Sequence, residues 1–244
     1  MRLLLLLALG IGAGCVEAGA VAESDQARLA DGLYARGLYE LAAAEYRALD
    51  QTAGLTNREV ILYRLAECLR NLGQAGAANA AYERVITGFP ASVYAHRSAL
   101  RRAEDDLQAG RYDEVVARLA RPKDSEVDPA MRPAWRYFLA HAEQRRGRAK
   151  AAEPVYRRLL KEDGDSPYAT FARLELAALV QARDPGSAEI PQLLEAVRAA
   201  GPATPAGRQA AIRLAAVRFE RKEYADAADA YAALVKEDSG LSAT

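Results

Sequence analysis

Residues Glu59–Ser92 read EVILYRLAECLRNLGQAGAANAAYERVITGFPAS, and the spacing within this stretch decides the fold. Leu62, Leu65, Ala66 and Leu69 recur at helical intervals and form one apolar stripe. Ala66 is small, as a position must be where a second helix crosses closely. Gly73 supplies the permissive backbone that stops the first helix and turns the chain. Ala78, Tyr82 and Val85 then make the matching stripe of a second helix, and Pro90 ends the unit. A helical hairpin of this kind cannot bury its apolar face alone, so neighbours must stack on it.

The frame recurs along the chain. Turn markers equivalent to Gly73 are Gly37, Gly110, Gly147, Asp184 and Lys222, at spacings of 36, 37, 37, 37 and 38 residues. Seven residues before each marker stands an alanine: Ala30, Ala66, Ala103, Ala140, Ala177 and Ala215. Nine residues after each stands a large side chain: Tyr46, Tyr82, Leu119, Tyr156, Leu193 and Tyr231. The expected fold is therefore all-α, with twelve principal helices in six antiparallel pairs. Start signals agree with it. Ser166-Pro167 and Thr204-Pro205 place a capping side chain before proline at the first helical position, and Thr56-x-x-Glu59 reads as a capping box. Two places break the pattern. Pro122, Pro129 and Pro133 lengthen the connection over 121–133, and Asp184-Pro185-Gly186 with Pro191 makes a degenerate repeat near 170–203.

Composition narrows the function. Lys plus Arg number 33 and Asp plus Glu number 33 in 244 residues. That balance argues against nucleic acid and against a polybasic membrane surface. Met1-Arg2 followed by the apolar run Leu3–Ile11 reads as a secretion signal, too short to span a bilayer comfortably. Two ends compete for it. Ala20-Val21-Ala22 offers small residues for cleavage before Glu23, giving a signal over 1–22 and a repeat domain over 23–244. Gly12-Ala13-Gly14-Cys15 instead resembles a lipoprotein site, with a signal over 1–14 and lipid on Cys15. Either end implies export to the periplasm, and the second implies an outer-membrane anchor.

Catalytic constellations are missing from the sequence. His96 and His141 fall in different repeats, and no His-x-x-x-His or Cys-x-x-Cys spacing occurs. No nucleophile elbow or phosphate-binding loop is present, so the chain is read as no enzyme, with no cofactor and no metal. Lys161–Asp165 is acidic but lacks calcium-loop spacing and reads as a solvated turn. Cys68 reads as a buried thiol and Trp135 as a packing residue. Arg145-Arg146-x-Arg148 and Arg157-Arg158 read as solvated helix faces.

The alanine, turn glycine, following aromatic and closing proline resemble the tetratricopeptide repeat, most fully over Glu59–Ser92. The resemblance spans about 215 residues after the signal and implies a right-handed superhelical solenoid. Phe89-Pro90-Ala91-Ser92-Val93-Tyr94-Ala95 and Asp165-Ser166-Pro167-Tyr168-Ala169 are similar to junctions in bacterial envelope members of the family. Those members include the outer-membrane-assembly lipoprotein and the Tol-associated periplasmic division coordinator. The inner wall of such a solenoid is lined by first helices. Helical geometry turns Tyr63, Glu67, Arg70 and Asn71 furthest from the core stripe of repeat two. Their equivalents are Asp31 and Tyr34 in repeat one, and Glu104 and Gln108 in repeat three. Repeat four supplies Tyr137, His141, Gln144 and Arg145. This mix of aromatic, acidic, basic and amide groups suits recognition of a peptide or partner domain. Two functions follow: an envelope adaptor, or an accessory subunit of a cell-wall enzyme. The chain stops at Thr244 without an obvious polar capping helix, so it is expected either to associate there or to continue in a longer protein.

Overall fold

The computed structural model describes residues 25–52 and 55–241. The secretion signal and Cys15 lie outside the described residues. Twelve α-helices and no strand occur among those described, in two compact units divided between Phe89 and Pro90. The first unit holds α1 (Asp25–Ala35), α2 (Tyr39–Asp50), α3 (Arg58–Asn71) and α4 (Ala75–Gly88). The second holds α5 (Val93–Gln108), α6 (Tyr112–Leu119), α7 (Arg132–Arg145) and α8 (Ala149–Glu162). It continues with α9 (Pro167–Arg183), α10 (Glu189–Ala200), α11 (Pro205–Glu220) and α12 (Tyr224–Leu241). Consecutive helices pack on one another within each unit, and in the second unit α5, α7, α9 and α11 also touch in series.

All six register alanines are fully buried, which is what close helix crossing requires of that position. Gly37, Gly73, Gly110 and Gly147 all adopt φ between +73° and +77°, in the left-handed region. Each closes its helix with the same pair of bonds: Gly73 N–H donates to Arg70 O at 3.0 Å, and Gln74 N–H to Leu69 O at 2.9 Å. These bonds satisfy carbonyls that a helix end would otherwise leave unpaired. Lys222 occupies the same turn with φ of 66° and the same bonding, so the geometry survives where glycine is lost.

Three readings change. In the fifth repeat α9 runs on to Arg183, and Asp184 does not make the left-handed turn. The connection is longer by one residue, so Ile190, Leu194 and Val197 are buried and Leu193 is not. Thr56 caps nothing. Helix α3 starts behind Asn57, whose φ of 62° an asparagine tolerates better than a threonine would. Thr204 caps α11 by accepting Gly207 N–H at 3.1 Å, but the Ser166 hydroxyl makes no capping bond. Ser92 caps α5 instead, accepting Tyr94 N–H at 3.2 Å.

The proline-rich connection folds into two 3₁₀ turns, Asp124–Glu126 and Pro129–Met131. Arg136 fixes it. Its guanidinium is almost fully buried and donates to Asp124 at 2.6 Å, Asp163 at 2.6 Å and Glu162 at 2.5 Å. The acidic Lys161–Asp165 stretch is thus part of an ion-pair cluster. Arg157 and Arg158 are likewise paired, with Glu153 and Glu189 and with Asp124 and Glu162. Trp135 is buried and donates its indole N–H to Leu119 O at 2.8 Å. Cys68 is buried too, and burial pushes its thiol up to about 11.

Candidate protein-binding face

In the first unit the first-helix residues serve the hairpins as much as the surface. Tyr46 and Tyr82 are fully buried, and their hydroxyls need acceptors. Asp31 accepts from Tyr46 at 2.5 Å, and Glu67 accepts from Tyr82. Tyr63 is buried with its ring 6.0 Å from that of Tyr82. Tyr34 is half-buried beneath the Arg64 guanidinium, 4.8 Å from its centroid, and desolvation together with Glu67 raises its hydroxyl. Asn71 is exposed and donates to Glu67 O at 2.8 Å, and Arg70 is half-buried.

In the second unit the same pin recurs one turn along. Tyr156 donates to Gln144 Oε1 at 2.9 Å, Gln144 donates to Glu175 Oε2 at 2.8 Å, and Glu175 Oε1 lies 3.8 Å from His141 Nδ1. Tyr137 sits at the middle of an aromatic cluster. Its ring stacks on His141 at 5.7 Å and meets Tyr168 at 5.7 Å and Phe171 at 6.0 Å. Glu104 is buried beside Arg101 at 3.5 Å. Burial, with the Glu104 carboxylate adding to it, pushes the Tyr168 hydroxyl up to about 12. Gln108 and Arg145 are exposed, and the Arg145 guanidinium stands 5.7 Å over the Tyr112 ring.

Tyr63, Glu67, Glu104 and Tyr137 are therefore buried, although a single-stripe helix would turn them outward. A first helix here is covered on more than one side. Its own second helix reaches over with a tyrosine, and in the second unit the next first helix covers a flank. The accessible face keeps Asp31, Tyr34, Arg70, Asn71, Gln108, His141, Gln144 and Arg145, exposed or half-buried. Tyr168, Phe171 and Glu175 belong to the same wall and were not picked out by extending the register. Their spacing at i, i+3 and i+7 on α9 is the signal that marks them as one helical face.

Burial depresses the affinity of both His96 and His141 for a proton. For His141 the Arg145 charge acts in the same direction and Glu175 opposes it. The folded state prefers the neutral rings, so their contribution is complete above the unfolded value near 6.5 and is lost as pH falls through the folded values. The melting temperature is expected to fall between pH 7.5 and 5.5, by about 2–4 °C for each kcal/mol lost. His141→Gln should flatten part of that slope in a pH series of thermal melts. An unchanged slope would place the titration elsewhere.

Among the described residues no three His, Cys, Asp or Glu side chains gather where they could hold a metal ion, and no helix is long and apolar enough to cross a membrane. Residues 61–92 match the family model of the tetratricopeptide repeat. No curated protein matches the sequence. Solved structures with the same fold include a tetratricopeptide repeat protein from Parabacteroides merdae, 14% identical with a TM-score of 0.62, covering 87% of this chain and 78% of that one. PilF of Pseudomonas aeruginosa is 17% identical with a TM-score of 0.59, covering 82% and 86% respectively. YrrB, described as a tetratricopeptide repeat protein with an unusual peptide-binding site, is 15% identical with a TM-score of 0.55, covering 74% and 87%. At these identities the likeness is one of fold.

Proposed function

We propose that this chain is a non-catalytic interaction scaffold of the bacterial cell envelope. It holds a peptide or partner domain on the first-helix face. The observation that carries the reading is the composition of that face in the second unit. Aromatic rings (Tyr137, His141, Phe171) support a rim of Gln108, Gln144, Arg145 and Glu175. Apolar area with a polar, hydrogen-bonding rim is the anatomy of protein interfaces. The envelope part of the proposal rests on the signal-like residues Met1–Ile11 and on the Pro-x-Ser-x-Tyr-Ala junctions. Cys15 supplies the anchor if it is lipidated.

Capture from envelope extract tests the face. Gln108→Glu combined with Arg145→Glu is expected to weaken capture at least tenfold, because unfavourable charge placed in an interface costs kilocalories. Both sites are exposed, so melting should shift by no more than about 0.5 kcal/mol. The comparison variant is Arg121→Glu with Lys150→Glu, outside the first helices. Arg84 and Arg158 are unsuitable for that purpose, because they pair with Asp50 and with Asp124 and Glu162. Loss of capture in the comparison variant alone would overturn the reading.

A further inference from the structure

Two faces of the repeat array are left open, and they are the two halves of one repeating contact. In the second unit Tyr137, ten residues before its turn marker, is 4% exposed because Tyr168 and Phe171 of the following hairpin cover it. The equivalent Leu174 is 7% exposed, but Ile212 on α11 is 51% exposed. On the same side Phe219 and Val235 are 58% and 70% exposed, and Tyr231 is 40% exposed where Tyr46, Tyr82 and Tyr156 are fully buried. Every position a following hairpin would cover is thus apolar and bare on α11 and α12. The opposite face is open in the first unit. Leu29, eight residues before its marker, is 52% exposed, whereas its equivalents Leu65, Leu176 and Leu214 are 5%, 1% and 5% exposed. Leu38 and Leu41 extend that patch at positions where other repeats carry Gln74, Arg111, Arg148 and Glu114.

Exposed apolar patches of this kind mark contact surfaces, and repeat arrays that stay monomeric cover their ends with polar residues. We propose that a second copy of this chain supplies the missing neighbour, the Leu29 face of one protomer seating on the Ile212–Phe219 face of another. The inference is independent of the first-helix binding face. It continues a contact the chain already makes between its own hairpins, in the same register and with the same residue types. The two faces differ, so the contact is head-to-tail, and each dimer keeps one open face of each kind.

Sedimentation velocity of the purified natural protein over rising concentration tests this, using three preparations. The wild type should form dimers and longer species. Ile212→Glu with Phe219→Glu, and separately Leu29→Glu, should each remain monomeric with unchanged helicity, since the altered side chains are exposed. An equimolar mixture of the two variants should give dimer and nothing larger, because each supplies the face the other lacks. A wild type that stays monomeric throughout would overturn the proposal and assign the faces to another occupant. Dimer formation by the Leu29→Glu variant alone would also overturn it, in favour of a symmetric contact between two Ile212–Phe219 faces.

Discussion

Arg136→Ala is expected to destabilise the second unit by about 3 kcal/mol, measured as a loss of unfolding free energy in urea. The side chain is 3% exposed and holds three carboxylates, so its removal leaves Asp124, Glu162 and Asp163 facing one another with no cation between them. The loss falls at the low end for a broken buried pair because the carboxylates are 23–42% exposed and water screens them. Arg136→Lys should recover little, since one ammonium cannot replace a planar fork bonded on both edges. The cluster ties the proline-rich connection to the end of α8, so protection from proteolysis around 121–131 should be lost together with stability. A loss below about 1 kcal/mol, the worth of an exposed pair, would mean the connection is held by the Trp135 indole bond alone.

Ala66→Trp is expected to cost the first unit about 3 kcal/mol or to prevent it from folding. Ala66 is fully buried at the crossing of α3 with its neighbours, between Leu62, Leu65 and Leu69 on one side and Ala78 and Tyr82 on the other. A tightly packed interior has no void to receive an indole. Ala77→Trp, on the exposed side of α4, is the matched control and should stay within about 0.5 kcal/mol. Equal melting of both variants would show that the register is displaced.

The register was legible because backbone and packing demands repeat. Ala30 through Ala215 and the four turn glycines each answer a constraint that admits few residue types, and a periodic constraint leaves a periodic mark. Where the mark faded, the structure still obeyed the constraint, as at Lys222. In the fifth repeat it moved the frame by one residue and buried Leu194 in place of Leu193, a shift that composition does not reveal. The binding face was less legible. Helical geometry gives the direction in which Tyr63, Glu67, Glu104 and Tyr137 point, but not what reaches over to cover them. Buried tyrosines in search of acceptors took up Asp31, Glu67 and Gln144. The Arg136 cluster joins residues up to 27 positions apart in a connection with no repeat, so no periodicity announces it.

Site-specific photo-crosslinking in intact cells tests the central claim most directly, because it captures whatever protein lies against the chosen residue. A photoreactive phenylalanine derivative would be placed at Gln108 or Arg145 on the first helices, and at Arg121 or Lys150 outside them. All four positions are exposed, so the fold tolerates each. A scaffold that binds through its first helices should give a discrete protein adduct from Gln108 and Arg145 and none from Arg121 and Lys150. Adducts from Arg121 and Lys150 alone would contradict it and move the binding surface off the first helices.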